Sequence, residues 1–366
     1  MTYDPFARGT FPVGVRTIEL RDHERRPLVT EVWYPAGERH RGGDLADSAR
    51  DTFDIAPGLP RLGQAAVRDA EPADGRTPLS LVLYWHGGYG HRREATHLCT
   101  HLASQGYLVA APDFPGDNVV DNLPASLGGT AKVAGTPIDE SARNRPRQAT
   151  ATAEGVLASA ERLGLTVDGP RFGSTGISMG GFTALAVNSL EPRFGATFAI
   201  CPMYGLRSPV PQVRRLQSLL RIDDWLQQPE VFVVAGEVDP LVVLADLREL
   251  HQRLAVPKRF VVLKRAGHMH FADGAAYVHE LMRKSYLSGE HPDPEIDALA
   301  LGQAMRPITE LCSEANSTAT ARALCLAHMD AVLRRSGEAE AFLDHGLAAA
   351  FASRGIEIEA VASSSP

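Results

Sequence analysis

Ser178 stands between glycines in Gly176-Ile177-Ser178-Met179-Gly180, after the apolar run Arg171 to Ile177 and before the helix-like run Gly181 to Leu190. A G-x-S-x-G at a strand-to-helix junction reads as a nucleophile elbow: the glycines relieve the clashes of a sharp turn and leave the hydroxyl raised into a cleft. A serine hydroxyl is a poor nucleophile at neutral pH, so it needs a base within reach, and the base needs an orienting acid. Two downstream segments can supply them. The strand-like Val231 to Ala235 runs straight into Gly236-Glu237-Val238-Asp239-Pro240, and Phe260 to Lys264 runs into Arg265-Ala266-Gly267-His268-Met269-His270-Phe271. In a parallel sheet the cleft lies beyond the C-terminal strand ends, which is where Asp239 and His268 fall. We assign Ser178 as nucleophile, His268 as base and Asp239 as acid. His270 and Glu237 share the same loops and are the alternates.

Acyl transfer through serine also needs donors for a developing oxyanion. Leu81 to Trp85 is a buried-strand pattern that opens into His86-Gly87-Gly88-Tyr89-Gly90, where glycines let the main chain approach a substrate carbonyl. One donor is assigned to the N–H of Met179, and the other to Gly88 or Tyr89. Trp85, Tyr89, Phe114, Met203 and Tyr204 are candidates for lining an acyl pocket. The chain order Ser178, Asp239, His268 is that of the α/β-hydrolase fold and differs from the chymotrypsin and subtilisin orders.

Two β-rich segments open the chain, Val13 to Leu20 and Leu28 to Tyr34, and residues 36–78 read as a surface insertion rich in Gly, Pro, Asp and Arg. From Leu79 onward, short apolar runs alternate with amphipathic ones, including a helical pattern over Gln148 to Leu163. That alternation predicts an α/β fold, a mostly parallel sheet of about eight strands with helices on both faces. Residues 1–289 form the expected α/β-hydrolase domain, with 202–228 as a candidate cap. Residues 290–366 read as a C-terminal helical extension without strands, in which Leu324, Cys325, His328, Met329 and Val332 share one stripe. Those helices are candidates for a homo-oligomer contact, and Ala362 to Pro366 for a frayed end.

With 366 residues and a net charge of −7, the chain can bury a large core and offers no basic footprint for nucleic acid. No apolar run is long enough to span a membrane, and Met1 to Gly14 lacks a basic stretch followed by an apolar one. The expected location is the cytoplasm. Cys99, Cys201, Cys312 and Cys325 lack C-x-x-C spacing, and His97 and His101 enclose no carboxylate in His97-Leu98-Cys99-Thr100-His101, so neither metal nor cofactor is expected.

The motifs Gly176 to Gly181, His86-Gly87-Gly88, Arg145-Pro146, Gly236-x-x-Asp239-Pro240 and His268-x-x-Phe271-Ala272-Asp273 together resemble bacterial α/β-hydrolases grouped with platelet-activating-factor acetylhydrolases and predicted dienelactone hydrolases. The likeness spans roughly residues 12 to 288 and includes Val15 to Leu20 and Glu31 to Pro35. It implies a serine esterase acting on a small-molecule ester. True dienelactone hydrolases use a cysteine nucleophile, which Ser178 is not, and Gln148 stands where that pattern often has Asp. An acyltransferase or peptidase could use the same three residues. A non-catalytic binding or assembly protein is the reading from another class.

Overall fold

The protein is described by a computed structural model covering residues 3–55, 61–73, 78–122, 136–289 and 295–361. It opens with β1 (Val13–Arg21) and β2 (Pro27–Pro35), an antiparallel pair in which Val15 stands opposite Trp33. A small ribbon of β3 (Thr52–Phe53) and β4 (Leu62–Gly63) precedes β5 (Val67–Arg68), which adds to β1 in parallel. There follow β6 (Ser80–Trp85), β7 (Tyr107–Pro112), β8 (Phe172–Ile177), β9 (Phe194–Ile200), β10 (Glu230–Gly236), β11 (Lys258–Leu263) and, near the end, β12 (Ile358–Val361).

The sheet order is β12-β11-β10-β9-β8-β6-β7-β2-β1-β5. From β7 through β6 and β8 to β11 every neighbour pair is parallel. Runs such as Leu81-Val82-Leu83-Tyr84-Trp85 are apolar at every position because both faces are covered. β6 lies between β7 and β8, so successive connections leave it in opposite directions and a crevice opens beyond its C-terminal end.

Ten strands replace the expected eight or so. The two extra ones sit at the sheet's edges and are too short, at two and four residues, for side-chain alternation to register.

The helices are α1 (Thr96–Ser104), α2 (Val119–Asn122), α3 (Ile138–Ala160), α4 (Met179–Ala186), α5 (Pro211–Leu216) and α6 (Leu244–Arg253), then α7 (Ala275–Leu287), α8 (Ala298–Ala304), α9 (Glu314–Leu333), α10 (Gly337–Ala341) and α11 (Leu347–Ala352). Leu98 and Leu102 of α1 with Leu324, Met329 and Val332 of α9 cover one face, against Val82, Tyr84 and Phe198. On the other, Phe182 of α4, Val213 of α5 and Leu250 of α6 pack on Val233 and Val262, and Ala149, Ala153 and Val156 of α3 pack on Leu81 and Leu83.

Three readings of the sequence change. Helix α3 begins ten residues before the expected Gln148 and runs through Pro146. The missing proline N–H costs one helical bond, but the first turns bury Ala142 against the α5 region, and that packing outweighs it. Beyond residue 289 the chain is not free of strands, since β12 pairs antiparallel with β11. Within 36–78, Asp44, Asp51, Gln64, Ala66 and Ala70 are buried, and Gln64 accepts a hydrogen bond from the Trp33 indole at 2.6 Å. Residues 56–60 and 74–77 of that stretch, and the end at Ala362 to Pro366, lie outside the described residues. No helix among the described residues is long and apolar enough to cross a membrane.

Buried histidines make this fold acid-sensitive. His328 of α9 is fully buried, with Nε2 3.2 Å from the Glu230 carbonyl, and burial pushes its pKa down to about 3. His101 of α1, held to the Pro5 carbonyl at 3.0 Å, is likewise pushed down by burial to about 3. Such an imidazole stays neutral in the native state but takes a proton when unfolded. Its contribution is therefore intact above about pH 6.5 and is lost progressively below that value, by about 1.4 kcal/mol each at pH 5.5. Urea midpoints should fall between pH 7.5 and 5.5, and His328→Gln should make that fall shallower by about 1.4 kcal/mol. Equal pH slopes for the two proteins would show that His328 does not stay neutral.

Candidate active site

The site assembles where β6, β8, β10 and β11 end on one edge of the sheet. Ser178 follows β8 directly with φ 58° and ψ −117°, in the half of backbone space that non-glycine residues rarely occupy. Its N–H donates to the Ile200 carbonyl at 2.9 Å, and its own carbonyl accepts from the N–H groups of Phe182 and Met203 at 3.0 and 3.1 Å. The turn is thus held from β9 and from α4.

The flanking glycines are there for space. A Cβ on Gly180 would lie 1.8 Å from the Trp85 carbonyl oxygen, and one on Gly176 would lie 2.4 Å from the same atom. Backbone meets backbone at the junction of β6 and β8, where no side chain can swing aside.

The structure brings Ser178, His268 and Asp239 into one hydrogen-bonded line. His268 Nε2 is 2.8 Å from Ser178 Oγ, and His268 Nδ1 is 2.6 Å from Asp239 Oδ2. A carboxylate can only accept, so Nδ1 carries the proton and Nε2 presents its lone pair to the serine hydroxyl. The other Asp239 oxygen, Oδ1, accepts from Leu241 N–H at 2.8 Å and Val242 N–H at 2.9 Å, which fixes the carboxylate plane. All three side chains are buried.

Neither alternate takes part. His270 Nδ1 accepts from Gly267 N–H at 3.1 Å and its ring faces His279. Glu237 holds Lys264 Nζ at 3.1 Å and Arg265 N–H at 2.9 Å.

Cys201 lies close enough that its sulfur and the facing atoms of Asp239 and His268 fall within 4.8 Å of one another. That grouping is poorly suited to a metal. Both imidazole nitrogens are engaged, and burial pushes the Cys201 thiol up, away from the thiolate a metal requires.

The loop after β6 lies against Ser178. A Cβ on Gly87 would stand 3.7 Å from Ser178 Cβ, and one on Gly88 would stand 4.0 Å from Met179 Cβ. The N–H groups of Gly88 and Met179 have no hydrogen-bond partner among the described residues. Tyr89 N–H, the alternative donor, is occupied: it donates to Asp117 Oδ1 at 3.0 Å.

Around this loop sit groups to which sequence reasoning gave no catalytic role. Arg145, fully buried, donates through Nη1 to the His86 carbonyl at 2.6 Å, through Nη2 to the Gly87 carbonyl at 2.9 Å, and through Nε to Asp117 Oδ2 at 2.7 Å. Glu94 Oε1 accepts from Gly87 N–H at 2.9 Å and from the Tyr84 hydroxyl at 3.1 Å, and burial pushes its carboxyl up to about 7. His86 is a neutral brace, with Nε2 accepting from Phe114 N–H at 3.2 Å and Nδ1–H donating to the Gly87 carbonyl at 2.7 Å. Burial and the Arg145 charge keep its pKa well below the ordinary imidazole value. Asp273, just past the His268 turn, reaches the start of α1. It accepts from Thr96 N–H at 2.7 Å and approaches His97 Nδ1 at 2.7 Å, while its own N–H donates to the Glu94 carbonyl at 2.8 Å.

The pocket candidates divide. Trp85 and Phe114 are fully buried and pack on each other and on the α3 side of the core, with the Trp85 indole donating to Ser174 Oγ at 2.8 Å. Tyr204 is buried too, its hydroxyl held by Arg253 at 2.6 Å. These three are core, not cleft lining. Met203 adjoins Ser178 through its backbone, and Tyr89, 40% exposed, stands at the rim with its hydroxyl 3.2 Å from the Thr136 carbonyl. A cavity of about 600 Å³ bordered by Phe53, His97 and Arg322 lies elsewhere, and none of Ser178, Asp239 and His268 lines it.

The glycine contacts make a direct test. Gly180→Ala should destabilise by at least about 3 kcal/mol, because the added methyl meets main chain. Gly88→Ala, with nothing nearer than 4.0 Å, should change the melting temperature little. Comparable melting temperatures for the two variants would contradict the packing described at the β6–β8 junction.

Comparison with known proteins places this architecture. The structure of a ferulic acid esterase from Streptomyces cinnamoneus superposes with a TM-score of 0.62 at 22% sequence identity, over 96% of each chain, and so shares the fold. No curated protein sequence matches the chain significantly. Residues 66–288, a span that holds Ser178, Asp239 and His268, match the model of the Dienelactone hydrolase family, and the chain belongs to that family.

Proposed function

We propose that this protein is a serine hydrolase that cleaves a carboxylic ester through an acyl-enzyme on Ser178. The observation that carries the reading is the unbroken line from Ser178 Oγ through the His268 ring to Asp239, with contacts of 2.8 and 2.6 Å. In this reading the Ser178 oxygen attacks the ester carbonyl carbon while His268 Nε2 takes the hydroxyl proton. Asp239 keeps the ring in the tautomer that can accept it and stabilises the imidazolium that results. The carbonyl π electrons move onto oxygen, where the N–H groups of Met179 and Gly88 are the donors we assign to the oxyanion. Collapse of the tetrahedral intermediate breaks the bond to the alcohol, which leaves with the proton from His268. Water then attacks the acyl-enzyme by the same steps and releases the acid.

The nucleophile, base, acid and oxyanion donors of that reading are all residues of the chain. Membership in a family named for a hydrolase agrees with the reaction class. One structural neighbour is a ferulic acid esterase, so aryl esters belong beside short alkyl esters in a substrate screen.

Ser178→Ala should lower hydrolysis of a short nitrophenyl ester by at least about 10⁴-fold and abolish labelling by a fluorophosphonate, with the melting temperature preserved. Asp239→Asn should lower kcat by about 10⁴-fold, because an amide can donate to Nδ1 and stabilise the wrong tautomer. A folded Ser178→Ala protein that still turned over the ester would rule the assignment out.

A further inference from the structure

The loop His86-Gly87-Gly88 can be accounted for peptide by peptide. The amides in this chain include no cis bond among the described residues, so in each one the C=O and the following N–H point in opposite directions. The peptide joining His86 to Gly87 is gripped at both ends, its carbonyl by Arg145 Nη1 at 2.6 Å and its N–H by Glu94 Oε1 at 2.9 Å. The next peptide, joining Gly87 to Gly88, is gripped at the carbonyl alone, by Arg145 Nη2 at 2.9 Å and His86 Nδ1–H at 2.7 Å. Its N–H, that of Gly88, therefore projects away from the guanidinium and has no partner among the described residues. The peptide after that is pinned through Tyr89 N–H on Asp117 Oδ1 at 3.0 Å, and Asp117 Oδ2 is also the anchor of Arg145 Nε, at 2.7 Å.

We propose that Arg145 and Glu94 are positioning residues that aim the Gly88 N–H at the ester oxygen, by holding the two preceding carbonyls and the Gly87 N–H from behind the loop. The proposal rests on the acyl-transfer reading above. Two consecutive carbonyls and a carboxylate need three donors in a fixed planar fork, which a guanidinium supplies and an ammonium does not. Arg145 has no freedom to turn: it is fully buried, and its guanidinium lies 4.5 Å from the centre of the Phe114 ring. Glu94 is closely fitted as well, since a Cβ on Gly90 would lie 2.0 Å from its Oε2. A loop containing three glycines in five residues would otherwise sample many peptide orientations, most of them with no N–H aimed at the nucleophile.

The test compares wild type with Arg145→Lys, Glu94→Ala and Glu94→Gln, after checking each variant's melting curve. The measurements are kcat and KM for a short nitrophenyl ester and the inhibition constant of a trifluoromethyl ketone, whose adduct with serine carries an oxyanion. Arg145→Lys and Glu94→Ala should each lower kcat by about 10²-fold, leave KM nearly unchanged, and weaken the ketone by a similar factor. Glu94→Gln, whose amide oxygen can still accept from Gly87 N–H, should recover most of the activity lost in Glu94→Ala. A merely structural role would move the melting temperature but not this split between kcat and KM. If Arg145→Lys does not fold, the Glu94 pair decides by itself. Folded variants whose kcat and ketone affinity stay within about threefold of an active wild type overturn this proposal alone. A wild type without Ser178-dependent turnover overturns the acyl-transfer reading and this proposal with it.

Discussion

The main-chain approach between the end of β6 and the start of α4 is the constraint on which the site is built. Gly176 and Gly180 let the turn after β8 press onto the Trp85 carbonyl, closer than any residue with a Cβ would allow. That contact sets Ser178 beside the Gly87–Gly88 loop, because the same carbonyl that excludes a side chain from the turn belongs to the last residue of β6. Ser178 and the loop are therefore located by one packing event. Their shared position at the sheet's switch point follows from strand order, with β6 between β7 and β8.

Polar groups hold what the glycines bring near. Behind the loop, the buried pair Arg145–Asp117 occupies three main-chain groups as well as itself, so its desolvation is offset by hydrogen bonds on nearly every donor. A second buried cluster lies further along the same post-β6 segment, against β2. There Glu31, fully buried on β2, accepts from Arg68 at 2.7 Å and Arg93 at 3.0 Å, with Arg92 at 3.4 Å. Burial alone would raise that carboxyl, but the three guanidiniums pull it below the ordinary carboxylate range. The first network ties α3 to the loops after β6 and β7, and the second ties β2 to β5 and to the segment that leads into α1.

What could be read from the sequence divides along physical lines. Ser178, Asp239 and His268 were legible because each follows a strong apolar strand, and strand ends fix a side chain's location without knowledge of its neighbours. Pocket lining was not legible from residue type. Trp85, Phe114 and Tyr204 are the aromatics one would choose, yet Trp85 has the same parity on β6 as Leu81 and Leu83, and that parity sends it to the core beneath α3. Arg145 was visible only as part of the Arg145-Pro146 motif of the resemblance and Glu94 not at all, since their roles depend on loop groups far along the chain or across a turn. The start of α3 was misread because a proline usually marks a first turn, whereas here the turns before Pro146 are kept by packing. The parallel core strands were visible as uninterrupted apolar runs; β5 and β12 were not, because so short a pairing leaves no period to count.

The Asp273 carboxylate gives the site a mechanical property. By clasping the first turn of α1 while its amide holds the Glu94 carbonyl, it fastens the turn that bears His268 to the segment that bears Glu94. The His268 turn and the Gly87–Gly88 loop thus ride on a common chassis, each restraining the other's displacement.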